Sequence, residues 1–339
     1  MEDKRGLEQQ ARALIDNNPD EAVKIYRQIW DNFRAEFNDW DAFFTIKAMK
    51  NINNPDFQWA LLLAENFRTD KVGNIYSWLI FDKVVKGKSR NELIASHNKI
   101  VKLVDFASQK NLRLDNSFPC PITISIMKLC DEYSDNMFNA TKINELLSLL
   151  DYNLLSSTPQ TKNTQDRGNI EFASDLEKYF SLKTKSLFKL AEYEECKVFC
   201  KIALEQIQQF HNNNDTWFKM RFALSEYKLG NNQSSEILLQ ELLSTRTGSD
   251  KWFLYKDIAE VFYEQSDFEK AWKFAVDAVY YGNEPHFLIG LYLLQTRILF
   301  KLKRVDDGKV LAELIASILN EQNWRDKERY NKLFNFYQI

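Results

Sequence analysis

The chain has 339 residues, 45% of them hydrophobic, but only 9 Gly and 6 Pro, too few for a sandwich or barrel with turn signals every ~8–12 positions. Its 48 acidic and 45 basic residues leave a net charge of −3, which excludes a global field that draws in nucleic acid or anionic lipid. Four cysteines are too few for a disulfide framework, no stretch approaches the roughly 18 apolar residues of a membrane span, and the opening "MEDKRGLEQQ" lacks the apolar core of a signal peptide. A folded, helical, cytoplasmic protein is expected.

In chain order, "NPDEAVKIYRQIW" (18–30) and "NPDFQWALLLAENF" (54–67) read as second helices of two degenerate helix pairs, aligned on Ala22 and Ala60. In each "NPD" the Asn is expected to cap the helix and the Pro to sit in its first turn. "WDAFFTIKAMKNI" (40–52) reads as the first helix paired with the latter. Residues 74–155 keep helical periodicity without a repeat, in about four longer helices: roughly 74–87, 90–111, 121–135 and 140–155. "SSTPQTKNTQDRGN" (156–169) reads as a polar, mobile loop. The expected division is therefore 1–72, degenerate pairs; 73–155, non-repeat helices; 156–170, polar loop; 171–339, four repeats and a terminal helix.

The repeats announce themselves in a phrase used twice, "SLFKLAEYEE" (186–195) and "ILFKLKRVDD" (298–307). Aligned on the small residues Cys196, Ser235, Ala271 and Gly308, the four units are spaced by 39, 36 and 37 residues, a period belonging to helical solenoids. The clearest unit, "KWFLYKDIAEVFYEQSDFEKAWKFAVDAVYYG" (251–282), places Tyr255, Ile258, Ala259 and Phe262 on one helix, then Phe268, Ala271, Ala275 and Ala278 on the next. The other units supply Phe180, Leu187, Tyr193, Cys196, Cys200 and Ala203; Ala223, Gly230, Ser235 and Leu239; and Tyr292, Leu299, Val305, Gly308 and Ala312.

These positions resemble the tetratricopeptide repeat, most fully in the 251–282 unit. The resemblance implies an all-α fold: an α-solenoid of antiparallel helix pairs, preceded by an amino-terminal region of degenerate repeats. "KIYRQIW", "NIYSWLIFDKVV" and "INELLSLLDYNLLS", in that order, are also similar to a group of bacterial tetratricopeptide proteins, some of which carry a cold-shock domain. Here the text ends in helix-like "RDKERYNKLFNFYQI" instead of a barrel, which weakens an RNA role. The Asn-, Lys- and Ile-rich composition fits an AT-rich bacterial genome.

In such arrays the outward stripe of the first helices is the usual ligand surface. Its last member is aromatic in all four units, Phe188, Tyr227, Tyr263 and Phe300, followed by Lys189, Lys228, Glu264 and Lys301. Lys185, Trp217, Met220, Lys256 and Arg297 occupy earlier stripe positions. The partner-binding set expected is thus Lys185, Phe188, Lys189, Trp217, Tyr227, Lys228, Lys256, Tyr263, Arg297, Phe300 and Lys301. An acidic protein or peptide segment fits it best, single-stranded nucleic acid less well. Equally, each lysine suits a helix C-terminus and each aromatic could pack on a neighbouring repeat. Ser181, Met220 and Leu224 stand where a chaperone-tail clamp needs lysines and asparagines, so that clamp is not reproduced.

Catalytic signatures are poor. Ser125-Ile-Met-Lys128, Ser134-Asp135-Asn136 and Arg246-Thr-Gly248 approximate a serine β-lactamase set, but a helical chain has no sheet to assemble it, so the match reads as chance. Cys196 and Cys200 lie one helical turn apart in core positions and, like Cys120 and Cys130, read as packing residues. His97, His211 and His286 belong to no catalytic or metal motif, and no cofactor or metal is expected. The expected function is a non-enzymatic scaffold that binds a protein or peptide through the concave face. A peptide-sensing regulator and an RNA-associated protein are the rivals.

Overall fold

The structure, a computed structural model, describes residues 3–113, 119–135, 138–164, 168–245, 251–282 and 284–321. Among them the chain is all-α apart from one hairpin, and its seventeen α-helices pack largely in consecutive pairs, as a solenoid requires. Two compact units result, Met1–Asn214 and Asp215–Ile339.

The first unit opens with α1 (Lys4–Leu14), α2 (Pro19–Asn32), α3 (Asp39–Asn51), α4 (Phe57–Asn66) and α5 (Asp70–Ile80). Short polar residues start four of them. Asp3 accepts from Gly6 N at 2.7 Å, Asn18 caps α2 with Pro19 in its first turn, and Asn38 forms a capping box with Asp41. The second "NPD" behaves differently: Asp56, not Asn54, caps α4, accepting from Trp59 N at 2.9 Å.

Polar contacts fix the relative direction of three helices. Lys4 pairs with Asp41 at 2.9 Å, the Arg12 guanidinium lies 4.5 Å over Phe44, and Asn51 Nδ2 donates to Ile15 O at 3.1 Å. Start thus meets start and end meets end, so α1 and α3 run parallel. Asp39–Lys71 at 2.7 Å and Lys50–Asp82 at 3.0 Å do the same for α3 and α5. α3 packs more extensively on α5 than on α4, the partner its sequence suggested. Ala22 and Ala60, as expected, are fully buried.

Beyond α5 a single π turn, Phe81–Val85, closes with Lys86 N donating to Phe81 O at 2.8 Å. The expected helix 90–111 is broken into α6 (Arg90–Ala95), α7 (His97–Val101) and a 3₁₀ turn, Lys102–Asp105. The break falls in Ser96-His97-Asn98, residue types of low helix propensity. α8 (Pro121–Ser134) matches its expectation, while α9 (Ala140–Leu147) stops early and is followed by a 3₁₀ turn, Tyr152–Leu154.

The expected loop is a hairpin, β1 (Gln160–Thr164) antiparallel to β2 (Gly168–Phe172), in register Gln160↔Phe172. Backbone pairing makes it, and the polar text of β1 offers no apolar alternation from which to read it. α10 (Asp175–Lys189) and α11 (Tyr193–Gln206) complete the unit. α10 packs on α9 and α8: Lys183 Nζ donates to Asn144 at 2.7 Å, Lys178 pairs with Asp131 at 2.6 Å, and Tyr152 lies 5.3 Å from Phe180. The two units divide at 214/215, after the first clear repeat.

The second unit holds α12 (Asp215–Lys228), α13 (Asn232–Thr245), α14 (Lys251–Glu264), α15 (Phe268–Tyr281), α16 (Ile289–Lys301) and α17 (Val305–Glu321). In α14/α15 the ring pairs Tyr255–Tyr281 (5.3 Å), Phe262–Phe274 (5.4 Å) and Tyr263–Phe268 (5.6 Å) join start to end, so the helices are antiparallel. Ala271, Ala275 and Ala278 are fully buried, as are Ser235 and, in the first unit, Cys196, Cys200 and Ala203. The terminal helix expected in "RDKERYNKLFNFYQI" lies outside the described residues.

Four helices stop in one way. Ala191 (φ 61°), Gly230 (88°), Ser266 (62°) and Lys303 (63°) are all left-handed. At each, the next N–H reaches back five residues, as Glu192 to Leu187, Asn231 to Glu226, Asp267 to Phe262 and Arg304 to Leu299. The left-handed residue itself donates three back, the two bonds of a Schellman motif. Each stands five positions before its unit's small residue, so the repeat spacing is built into the turn.

Candidate functional site

Two sets of helix faces are candidate binding sites: the sequence-derived stripe on α10, α12, α14 and α16, and a second surface on α3 and α5. In the second unit the sequence-derived stripe divides between packing and solvent. Tyr227 is buried at 8% exposure: its ring meets Phe262 at 4.7 Å and its hydroxyl donates to Asp267 at 3.3 Å. Tyr263 rests on Phe268, and Phe300 lies over Gly308, where an added Cβ would come within 3.2 Å of the ring. In the first unit, Phe188 similarly meets Tyr193 at 5.4 Å. The aromatic recurrence thus closes the helix turns, and Tyr227 in particular offers no face to a ligand.

The cations are partly neutralised by neighbours that a stripe pattern ignores. Lys256 is 3.4 Å from both Asp257 and Glu260. Burial works against its charge, but those carboxylates outweigh it and hold its pKa above the ordinary value. Burial lowers that of Lys228, with Glu264 opposing, and burial raises that of Asp257, against the pull of Lys256 and Arg221. α14 therefore sets carboxylates among the basic groups of α12 and α14. Trp217 and Arg297 are half-buried and Lys301 exposed, and neither Arg297 nor Lys301 makes an ion pair among the described residues. On α10, exposed Lys185 and Lys189 stand 4.4 and 6.0 Å from the Phe138 ring.

The sequence reading missed the surface of the first unit. The α3 stripe Trp40, Phe43, Phe44 and Lys47 runs beside the α5 stripe Lys71, Ile75 and Trp78, continued by Phe81. Trp40 is 51% exposed and the rest are half-buried. Trp40 contacts Phe43 and Phe44 at 5.8 and 5.9 Å, Lys71 Nζ sits 3.8 Å over the Trp40 ring, and Trp78 meets Phe81 at 5.6 Å. The Asp39–Lys71 and Lys50–Asp82 pairs close the two ends. Lys47, between them, makes no ion pair among the described residues. The signal was present in "WDAFF" and "NIYSWLIF", but only the parallel packing of α3 on α5 makes one surface of two stripes.

Elsewhere in the first unit a pocket of about 470 Å³ is lined by Leu112, Ile124 and Met127 among others, and by the Lys178–Asp131 pair. The β-lactamase-like match does not assemble: Ser125 is fully buried while Lys128 is exposed and 3.5 Å from Glu132. Asn136 and Arg246–Gly248 lie outside the described residues. All four cysteines are free and buried, and Cys196 donates to Thr184 O at 3.3 Å. Among the described residues no cluster of His, Cys, Asp and Glu could hold a metal ion, and no helix is long and apolar enough to cross a membrane.

No family model matches the chain, and no curated protein matches it. Among solved structures, the crystal structure of BtubC (BKLC) from P. vanneervenii aligns over 70% of this chain and 93% of that one, with 14% identity and a TM-score of 0.43. A likeness that slight carries no argument about function.

Proposed function

We propose that the chain is a non-enzymatic, tetratricopeptide-like scaffold, cytoplasmic and bacterial, that binds a protein or peptide partner through the outward faces of its first helices. The observation that carries this is the division of labour within each pair. Small residues are spent on the pair interface, while Trp217, Lys228, Lys256 and Arg297 stay half-open on first helices. Stacked pairs expose much surface per residue, which suits recognition of an extended partner. The four buried thiols fit a reducing compartment.

The test is affinity purification from the native cells with wild type and a Lys185→Glu, Lys228→Glu, Lys301→Glu variant that keeps its helical circular dichroism. A protein partner recovered by wild type and lost by the variant is the expected result. The same partner on both baits sinks the stripe, and RNA lost in place of protein would favour the nucleic-acid reading.

A further inference from the structure

The α3/α5 surface is separate from the stripe just proposed, and its chemistry is more restrictive. Along α3 it extends from Trp40 to Lys50, which at 1.5 Å per residue is about 15 Å, the length of nearly three helical turns. Its walls are aromatic and aliphatic side chains on two helices whose own backbone groups are engaged within those helices. An extended peptide laid here would find few partners for its N–H and C=O groups, whose desolvation is costly. A helix satisfies its own backbone and needs only a complementary stripe of side chains.

Charge narrows the occupant further. Lys71 and Lys50 are held by Asp39 and Asp82, and Arg12, over Phe44, lies 3.7 Å from Glu8. Those carboxylates would repel a phosphodiester track, which needs a run of uncompensated cations. The central cation left over is Lys47, one helical turn from Phe43 on α3, and the two end pairs, Asp39–Lys71 and Lys50–Asp82, set Ile75 and Trp78 on the facing stretch of α5. One carboxylate set in an apolar stripe complements that arrangement.

We infer that the α3/α5 surface docks an acidic amphipathic helix of a protein partner, about three turns long, whose apolar stripe covers Phe43, Ile75 and Trp78 and whose single carboxylate pairs with Lys47. The probes are three synthetic amphipathic helices of about 14 residues. They share a leucine stripe and differ at one flanking position: Glu, Gln or Lys. Binding is read from the indole N–H resonances of ¹⁵N-labelled full-length protein, with Trp40 and Trp78 assigned by Trp→Phe variants.

The Glu helix should shift both indoles and bind roughly three-fold more tightly than the Gln helix, and more tightly still than the Lys helix. Lys47→Gln, a surface change that leaves folding intact, should abolish the Glu-over-Gln preference while leaving the leucine-dependent shift. Three results would overturn the inference: no shift of either indole at about 1 mM Glu helix, equal binding of the Glu and Lys helices, or a stronger shift with single-stranded poly-dT. The Lys185, Lys228, Lys301 triple variant should bind all three helices like wild type, so failure here and failure of the stripe are told apart.

Discussion

At the scale of single residues, the left-handed turn positions are where stability is most easily gained. Gly230 adopts its φ of 88° freely, but Ala191, Ser266 and Lys303 hold the same region with a Cβ close to the following carbonyl. Ala191→Gly, Ser266→Gly and Lys303→Gly should each raise stability by about 0.5–1 kcal/mol, and Gly230→Ala should lower it by about 1 kcal/mol, in chemical denaturation. A different residue-scale balance sits between α1 and α3. Asp41 is fully buried, accepting from Asn38 N at 3.0 Å and pairing with Lys4. Burial pushes its carboxyl above the ordinary 3.8, and the Asn38 N–H and Lys4 bring it only part of the way back. A folded-state value above the unfolded one means that ionisation costs stability as pH rises through that value, and acidification removes the cost. Lys4→Met, which strands the carboxylate, should therefore cost about 3 kcal/mol at neutral pH. Relative to wild type it should recover as pH falls, and adding Asp41→Asn should restore most of the loss at pH 7.

Elements reveal what periodicity can and cannot say. Helix α5 reads as amphipathic, yet its seat is set by one atom that is missing. A Cβ on Gly73 would lie 1.6 Å from the carbonyl oxygen of Phe106, whose ring meets Tyr76 at 5.2 Å. Backbone cannot yield as a side chain end can, so Gly73→Ala should cost roughly 3 kcal/mol by overpacking, measured by urea titration. Because α5 carries half of the α3/α5 surface, the same variant should also disturb the Trp78 indole resonance. The repeats were legible because a buried alanine or a left-handed turn must recur when helix pairs recur. The hairpin was not, since the polar text of β1 pairs through backbone alone. Nor was the break after Ala95 legible, because Leu93, Ile100 and Leu103, all fully buried, keep a helical spacing across it. The candidate site was half legible: its residue types could be read, but the carboxylates of α14 beside Lys228 and Lys256, and the meeting of α3 with α5, are properties of packing.

For the whole molecule, the division after Asn214 has a direct consequence for dissection. Fragments 1–214 and 215–339 should each keep their share of the helical circular dichroism. A cut at 170/171 should instead leave 1–170 with the face of α9 that α10 covers exposed, a loss visible as aggregation or a broadened transition in calorimetry. Within 215–339 the turns at Gly230, Ser266 and Lys303 recur every 36 and 37 residues, each the same lock made of the same two hydrogen bonds. Under tension applied to its two ends, such a chain has no reason to yield all at once. It would let go in near-equal lengths, roughly 120 Å of slack per pair, and so could act as a tether that lengthens stepwise while the remaining pairs stay folded.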